Sequence, residues 1–144
     1  MGHTILAIDD TKRILDIIKY FLENEGYTVK AATDGEAGLK LAEEGGIDLV
    51  LLDIMMPGLD GYAVCERLKK SAKTKDLPVI MLTAKAIIMH TPKDFFYGLY
   101  GFLAKPFSKD QLLKVVGDTL RITKTPPDQR FISPLESPHE EITP

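Results

Sequence analysis

Five polar side chains of this 144-residue chain stand at or just beyond the ends of short apolar runs, and their types suit the transfer of a phosphoryl group. They are Asp9, Asp10, Asp53, Thr83 and Lys105. A carboxylate can attack phosphorus and form an aspartyl phosphate, while a lysine supplies positive charge and a threonine supplies a hydroxyl donor to the phosphoryl oxygens. The set therefore makes phosphoryl transfer plausible, with an aspartate such as Asp53 able to attack the phosphorus atom.

Three neighbouring carboxylates would repel one another, by about 4 kcal/mol per pair at about 4 Å with an effective dielectric near 20. A hard divalent cation offsets this repulsion, and Mg²⁺ suits a site that offers a few carboxylates, keeps several waters and receives a phosphate. The alternative is that acids at strand ends simply avoid burial. That explanation would serve for one aspartate, but not for this whole set at four separate strand ends.

The segments that carry these residues alternate between strand and helix. Apolar runs predict five strands, at Thr4–Ile8, Tyr27–Ala32, Ile47–Leu52, Pro78–Leu82 and Phe102–Ala104. Helical spacing predicts a helix over Thr11–Asn24, a second that Asp34 caps and that ends near Gly45, a third around Val64, and a last one that Ser108 caps. Strands that are apolar on both faces indicate a parallel sheet covered by helices.

We therefore expect an α/β fold: a doubly wound, five-stranded parallel sheet with helices on both faces. For five such units we adopt the flavodoxin-like strand order 2-1-3-4-5, which the sequence pattern does not itself fix. In such a sheet the carboxyl ends of the strands share one edge. The five polar residues should meet there.

The stretch between strands four and five departs from this regularity. It contains Pro92 and lacks an amphipathic pattern, so we expect helix four to be shortened, beginning at Thr91 and ending before Gly98. Five aromatic residues fall in or beside it: Phe95, Phe96, Tyr97, Tyr100 and Phe102. They predict either an apolar output surface or local core packing, and the sequence leaves both open.

Composition sets the remaining expectations. The net charge of −3 and the scattered lysines and arginines argue against direct nucleic-acid binding. No apolar run is long enough for a membrane helix and no signal peptide is visible, so a cytoplasmic protein is expected. We place one domain at residues 1–122. Residues 123–144 hold five of the nine prolines and predict a mostly disordered tail.

Four motifs occur together and in order: Asp9-Asp10, LLDIMMPGLDG around Asp53, MLTA at Thr83, and FLAKPF around Lys105. Over about residues 4–120 the chain resembles the receiver domains of response regulators in two-component systems. The resemblance implies that Asp53 accepts the phosphoryl group from a sensor histidine kinase or a phosphotransfer protein. It also implies a downstream effector protein as partner, and homodimerisation is possible.

The same resemblance implies a role for each matched residue. Asp10 would bind Mg²⁺ directly, Asp9 largely through water, and the backbone carbonyl of Met55 would complete the protein ligands along with Asp53. Thr83 and Lys105 would hold the phosphoryl group. Switching would use Thr83 and Phe102, and a plain core position on strand five is the less favoured alternative for Phe102. The resemblance further implies a cis bond before Pro106 and a loop shaped by Gly58 and Gly61.

On this basis the expected function is that of a stand-alone receiver that signals through protein contacts, with only self-phosphorylation and autodephosphorylation chemistry. A receiver-like interaction domain that works without phosphate is the alternative, because the region of helix four is unusual. A phosphatase with an aspartyl intermediate, as in the haloacid dehalogenases, is disfavoured. Those enzymes carry a second aspartate two residues after the nucleophile, and here that residue is Met55.

Overall fold

Five strands and four helices account for most of the chain that the computed structural model describes, which is residues 2–84 and 101–122. In chain order they are β1 (Thr4–Ile8), α1 (Lys12–Glu23), β2 (Thr28–Ala32), α2 (Gly35–Glu43), β3 (Leu49–Asp53), α3 (Gly61–Lys70), β4 (Val79–Ala84), β5 (Gly101–Lys105) and α4 (Lys109–Ile122). The predicted elements within these ranges are present. The ends of β2, β3, β4 and β5 differ from the expected ones by one or two residues.

The described strands form one parallel sheet in the order β2-β1-β3-β4-β5, which confirms the predicted topology. β3 lies at its centre, and all five of its residues are buried. The register pairs Ile8 with Leu52 and Asp53 with Leu82, so the carboxyl ends of β1, β3 and β4 lie level with one another. The residues that follow these strands are thereby brought to one edge.

Alternate residues of each strand face two separate apolar cores. Leu6 and Ile8 belong to the core beneath α2 and α3, and Ile5 and Ala7 to the core beneath α1 and α4. This alternation follows from the period of two along a strand. It explains why the central strands read as continuous apolar runs, since both of their faces are covered.

Two helix starts follow the capping chemistry that the sequence predicts. The Asp34 side chain accepts a hydrogen bond of 2.8 Å from the backbone N–H of Ala37 at the start of α2. At the start of α4, Ser108 Oγ accepts from the N–H of Gln111, and Gln111 Oε1 accepts from the N–H of Ser108. This reciprocal pair is a capping box, which satisfies two donors at once.

Three expectations fall on residues outside those described. The predicted short helix between β4 and β5 lies in residues 85–100, together with four of the five aromatic residues, Phe95, Phe96, Tyr97 and Tyr100. The predicted tail lies in residues 123–144. Within the described ranges, no helix combines the length and the apolar character needed to cross a bilayer.

Two glycines test how tightly the helices pack on the sheet. A Cβ at Gly38 of α2 would lie 2.7 Å from Ile8 Cγ1, and Ile8 is fully buried, whereas a Cβ at Gly117 of α4 would meet only Arg121 Nη1 at 3.6 Å. We expect Gly38→Ala to lower the free energy of unfolding by about 1–3 kcal/mol through overpacking. Gly117→Ala should raise it by up to about 1 kcal/mol through helix propensity.

Urea unfolding at equilibrium checks this pair. Equal effects of the two substitutions would contradict the close approach of α2 to β1.

Candidate functional site

The first part of the site is the turn that leaves β1. Asp9 is completely buried, and its backbone N–H donates to the carbonyl of Ala32 at the end of β2 over 3.1 Å. Its Oδ1 accepts a 2.9 Å hydrogen bond from the N–H of Thr11. Asp10, the next residue, is exposed. The turn thus fixes one carboxylate inside the protein and leaves its neighbour at the surface.

The second part is the end of β3 and the loop that follows. Asp53 is 3% exposed, and its Oδ1 accepts a 3.2 Å hydrogen bond from the backbone N–H of Met55. The loop returns to the same place at Gly61, whose N–H donates to the carbonyl of Ile54 over 2.8 Å.

Glycine is required at that return. A Cβ at Gly61 would lie 2.6 Å from the Cα of Ile54 and closer still to the carbonyl oxygen of Asp53. Gly58, earlier in the loop, has a φ of +74°, which favours glycine. Both glycines therefore shape the backbone around Asp53.

Lys105 joins the two buried carboxylates. Its Nζ lies 2.6 Å from Asp9 Oδ2 and 3.3 Å from Asp53 Oδ2. The lysine is the last residue of β5, which is two strands away from β3, so its long side chain spans the end of β4. The peptide bond from Lys105 to Pro106 is cis, as the resemblance implies.

Thr83 lies on β4, which the Lys105 side chain spans, and Phe102 lies on β5, the strand that carries Lys105. Thr83 is buried near the end of β4, where its register partner on β5 is Ala104. Phe102 is buried in the core beneath α2 and α3, and its register partner is Met81. Thr83 thus belongs to the same edge as the carboxylates, whereas Phe102 occupies a core position in this conformation.

Burial and charge act in opposite directions on the site. Burial raises the pKa of Asp53, the Asp9 carboxylate raises it further, and Lys105 and the Met55 amide only partly oppose this. Burial by itself would lower the pKa of Lys105, but hydrogen bonding and Coulombic attraction from Asp9 and Asp53 outweigh it, so that pKa is raised. The protein therefore stabilises the ammonium and disfavours a second buried carboxylate.

The donors present suit a hard divalent cation. One carboxylate oxygen from each of Asp9, Asp10 and Asp53 lies within 4.8 Å of the other two. Asp9 Oδ2 is buried, and among the described residues no donor other than the Lys105 ammonium, at 2.6 Å, lies against it. A buried oxygen with an unused lone pair beside two further carboxylates fits Mg²⁺, which prefers oxygen ligands.

Sequence reasoning assembled most of this site but missed one feature. It predicted that Lys105 holds the phosphoryl group, and it did not predict that the ammonium lies between Asp9 and Asp53 in this conformation. Sequence spacing carries no signal for this contact, because it depends on the distances between side chains at separate strand ends.

The fold and the site together define the class of protein. In open α/β sheets of this order, ligands bind beyond the carboxyl ends of the first and third strands, where the strand order reverses. Asp9 and Asp53 occupy that place. The family model of the response regulator receiver domain matches residues 5–117, and this chain belongs to that family, the receiver domains of two-component systems.

Two curated relatives are similar in sequence to most of this chain. The chain is 42% identical over 119 residues to the DNA-binding dual master transcriptional regulator RpaA of Synechocystis, an alignment that covers 83% of this chain and 49% of RpaA. It is 37% identical over 123 residues to the probable transcriptional regulator ycf27 of Cyanidium caldarium, covering 85% of this chain and 48% of that protein. The chain thus spans about half the length of these curated relatives.

Solved structures agree with the fold. The Vibrio cholerae chemotaxis protein CheY4 is 29% identical and superposes with a TM-score of 0.74. The match covers 82% of this chain and 98% of CheY4.

The raised pKa of Asp53 predicts a pH-dependent gain in stability when its charge is removed. The folded protein holds the Asp53 proton more tightly than the unfolded chain, so ionisation of Asp53 opposes folding. This penalty is absent below the unfolded-state pKa, about 3.9, and is complete above the folded-state pKa. Without divalent metal, Asp53→Asn should therefore raise the free energy of unfolding at pH 7.

Thermal unfolding in chelator from pH 4 to pH 8 measures this effect. The advantage of Asp53→Asn should grow as the pH rises. Asp16→Asn, which removes an exposed carboxylate paired only with Lys12 on α1, should change stability by less than about 0.5 kcal/mol at each pH. A variant Asp53→Asn that is less stable than the wild type at neutral pH would contradict the electrostatic description.

Proposed function

We propose that this receiver domain accepts a phosphoryl group on Asp53 from a sensor histidine kinase or a phosphotransfer protein, in a Mg²⁺-dependent reaction, and signals through a change in its protein contacts. The observation that carries the proposal is the convergence of Asp9, Asp10 and Asp53 within 4.8 Å, with Lys105 bound to two of them. A cluster of this kind is costly unless cations neutralise it. Family membership supplies the matching chemistry.

The Asp53 carboxylate would act as the nucleophile. One of its oxygens forms a bond to phosphorus as the bond from phosphorus to the donor breaks, and the donor leaves with the electron pair. The Met55 amide already holds Asp53 Oδ1, which orients the carboxylate. Lys105 and the hydroxyl of Thr83 would then hold oxygens of the transferred group.

Asp9, Asp10 and Asp53, with the backbone carbonyl of Met55, would hold Mg²⁺. When bound, Mg²⁺ would neutralise the negative charge that gathers on the phosphoryl oxygens. The protein's own part is to hold the carboxyl groups of Asp9 and Asp53 side by side. In the described conformation the Lys105 ammonium contacts both and offsets part of their repulsion.

The response to phosphorylation would run through Thr83 and Phe102. The Thr83 hydroxyl would turn toward the phosphoryl group. Phe102, the second residue of β5, would take the inward position of the switch aromatic. To shift a two-state equilibrium from 1:99 to 99:1, the phosphoryl group must favour the active state by about 5.5 kcal/mol. Charge-assisted hydrogen bonds from Lys105 and Thr83 are of the right strength to contribute to this.

The protein would catalyse only its own phosphorylation and dephosphorylation. Two residues after Asp53 stands Met55, which has no acidic proton for the leaving group of a general phosphate ester. We therefore propose a switch rather than a metabolic phosphatase.

We further propose that residues 1–122 form the receiver and that residues 123–144 form a separate tail. Output would pass to a downstream effector protein, with a homodimer as one form of contact, in the cytoplasm. RpaA is a DNA-binding regulator by name. For this chain, whose net charge is −3, we propose no direct contact with nucleic acid.

Intact mass spectrometry after incubation with acetyl phosphate tests the central step. With Mg²⁺ the wild type should gain about 80 Da, the mass of one phosphoryl group on a carboxylate. The gain should disappear in chelator, because the carboxylate cluster needs the cation, and in Asp53→Asn, because the nucleophile is gone.

The control is again Asp16→Asn, which should be labelled like the wild type. Labelling of Asp53→Asn to the wild-type extent would show that another residue accepts the group. Failure of the wild type to be labelled by acetyl phosphate or by any histidine kinase would instead favour a phosphate-independent interaction domain.

A further inference from the structure

Met55 differs in exposure from the other methionines that the structure describes. Its side chain is 58% exposed, whereas Met56 is 7% exposed and Met81 is fully buried. Met55 and Tyr20 are the large apolar residues that stand exposed within the described ranges. Burying a methionine side chain stabilises a fold by about 1.5–3 kcal/mol, and this fold forgoes most of that stabilisation at Met55.

The residue that carries this exposed thioether is hydrogen-bonded to the acidic site through its backbone. The backbone N–H of Met55 donates to Asp53 Oδ1 over 3.2 Å, and the residue lies in the loop that Gly61 closes against Ile54. Its backbone is therefore held in place beside the carboxylate. A change at this residue therefore occurs in the loop that holds the proposed phosphoacceptor, two residues after it in the chain.

We infer that Met55 is a site of reversible oxidation by peroxides and that its sulfoxide slows phosphoryl uptake at Asp53. The reaction is balanced with hydrogen peroxide as the oxidant: the O–O bond breaks, one oxygen joins the sulfur, and the other leaves as water. Sulfur loses two electrons and peroxide gains them. Methionine sulfoxide reductases reverse the change, because each sulfoxide epimer is a substrate for one of them.

The effect on Asp53 follows from charge and hydration. A thioether is apolar, whereas a sulfoxide is polar and ends in an oxygen that carries partial negative charge. Among the described residues, the site already sets three carboxylates against the ammonium of Lys105. A further negative oxygen at its rim disfavours the approach of an anionic phosphodonor. This part of the inference rests on the proposed function.

Peptide mapping of the full chain after limited treatment with hydrogen peroxide tests the site itself. Met55 should be oxidised roughly tenfold faster than Met56 or Met81, because oxidation follows exposure. Each oxidised methionine adds one oxygen, about 16 Da. Equal rates at Met55 and Met56 would overturn the inference, whether or not the protein accepts phosphate.

Labelling by acetyl phosphate then tests the consequence. Peroxide should slow labelling of the wild type by roughly threefold or more, and treatment with both sulfoxide reductases should restore the rate. Met55→Leu removes the sulfur at similar volume. Compared with its own untreated sample, that variant should show no slowing.

The outcomes separate this inference from the proposed function. Slowing of Met55→Leu to the same degree would assign the effect to another residue and overturn the inference. Selective oxidation of Met55 without a change in the labelling rate would overturn the link to Asp53. If the untreated wild type is not labelled at all, the proposed function fails and the link falls with it, while the mapping still decides whether Met55 is the oxidation site.

Discussion

The structure is organised around the repulsion between carboxylates at one edge of the sheet. Asp9 and Asp53 are both buried there, and burial without neutralisation is among the most expensive arrangements in a protein. Lys105 provides the first compensation by contacting both, and the raised pKa of Asp53 shows that the compensation is incomplete. The remaining imbalance supports the proposal that the site binds a cation.

The rest of the fold serves to maintain this arrangement. The parallel sheet brings the ends of β1, β3, β4 and β5 to one edge, and two apolar cores keep that sheet rigid. Backbone N–H groups of Thr11 and Met55 orient the two buried carboxylates. Gly61 lets the loop after β3 come back against Ile54, which no larger residue would permit. The site is thus built from strand ends and backbone contacts.

The strands and the residues at the edge could be predicted from the sequence, because apolar periodicity locates strands and the ends of parallel strands converge. The strand order came from the flavodoxin-like fold class and not from the periodicity. Side-chain burial could not be predicted in the same way. Asp9 and Asp10 are identical neighbours, yet one is buried and the other exposed; the same is true of Met56 and Met55. The difference depends on the path of the backbone after each strand. The position of Lys105 between two carboxylates likewise depends on three-dimensional distances that sequence spacing does not contain.

The most direct test of this account is the unfolding midpoint of the wild type in Mg²⁺ and in chelator at matched ionic strength. If the three carboxylates form a cation site, Mg²⁺ must stabilise the folded state, by about 2.7 kcal/mol at a hundredfold excess over its dissociation constant. Asp9→Asn should lose most of that gain. An unfolding midpoint that does not respond to Mg²⁺, or that responds equally in Asp9→Asn, would contradict the central claim that the fold assembles these carboxylates to bind a cation.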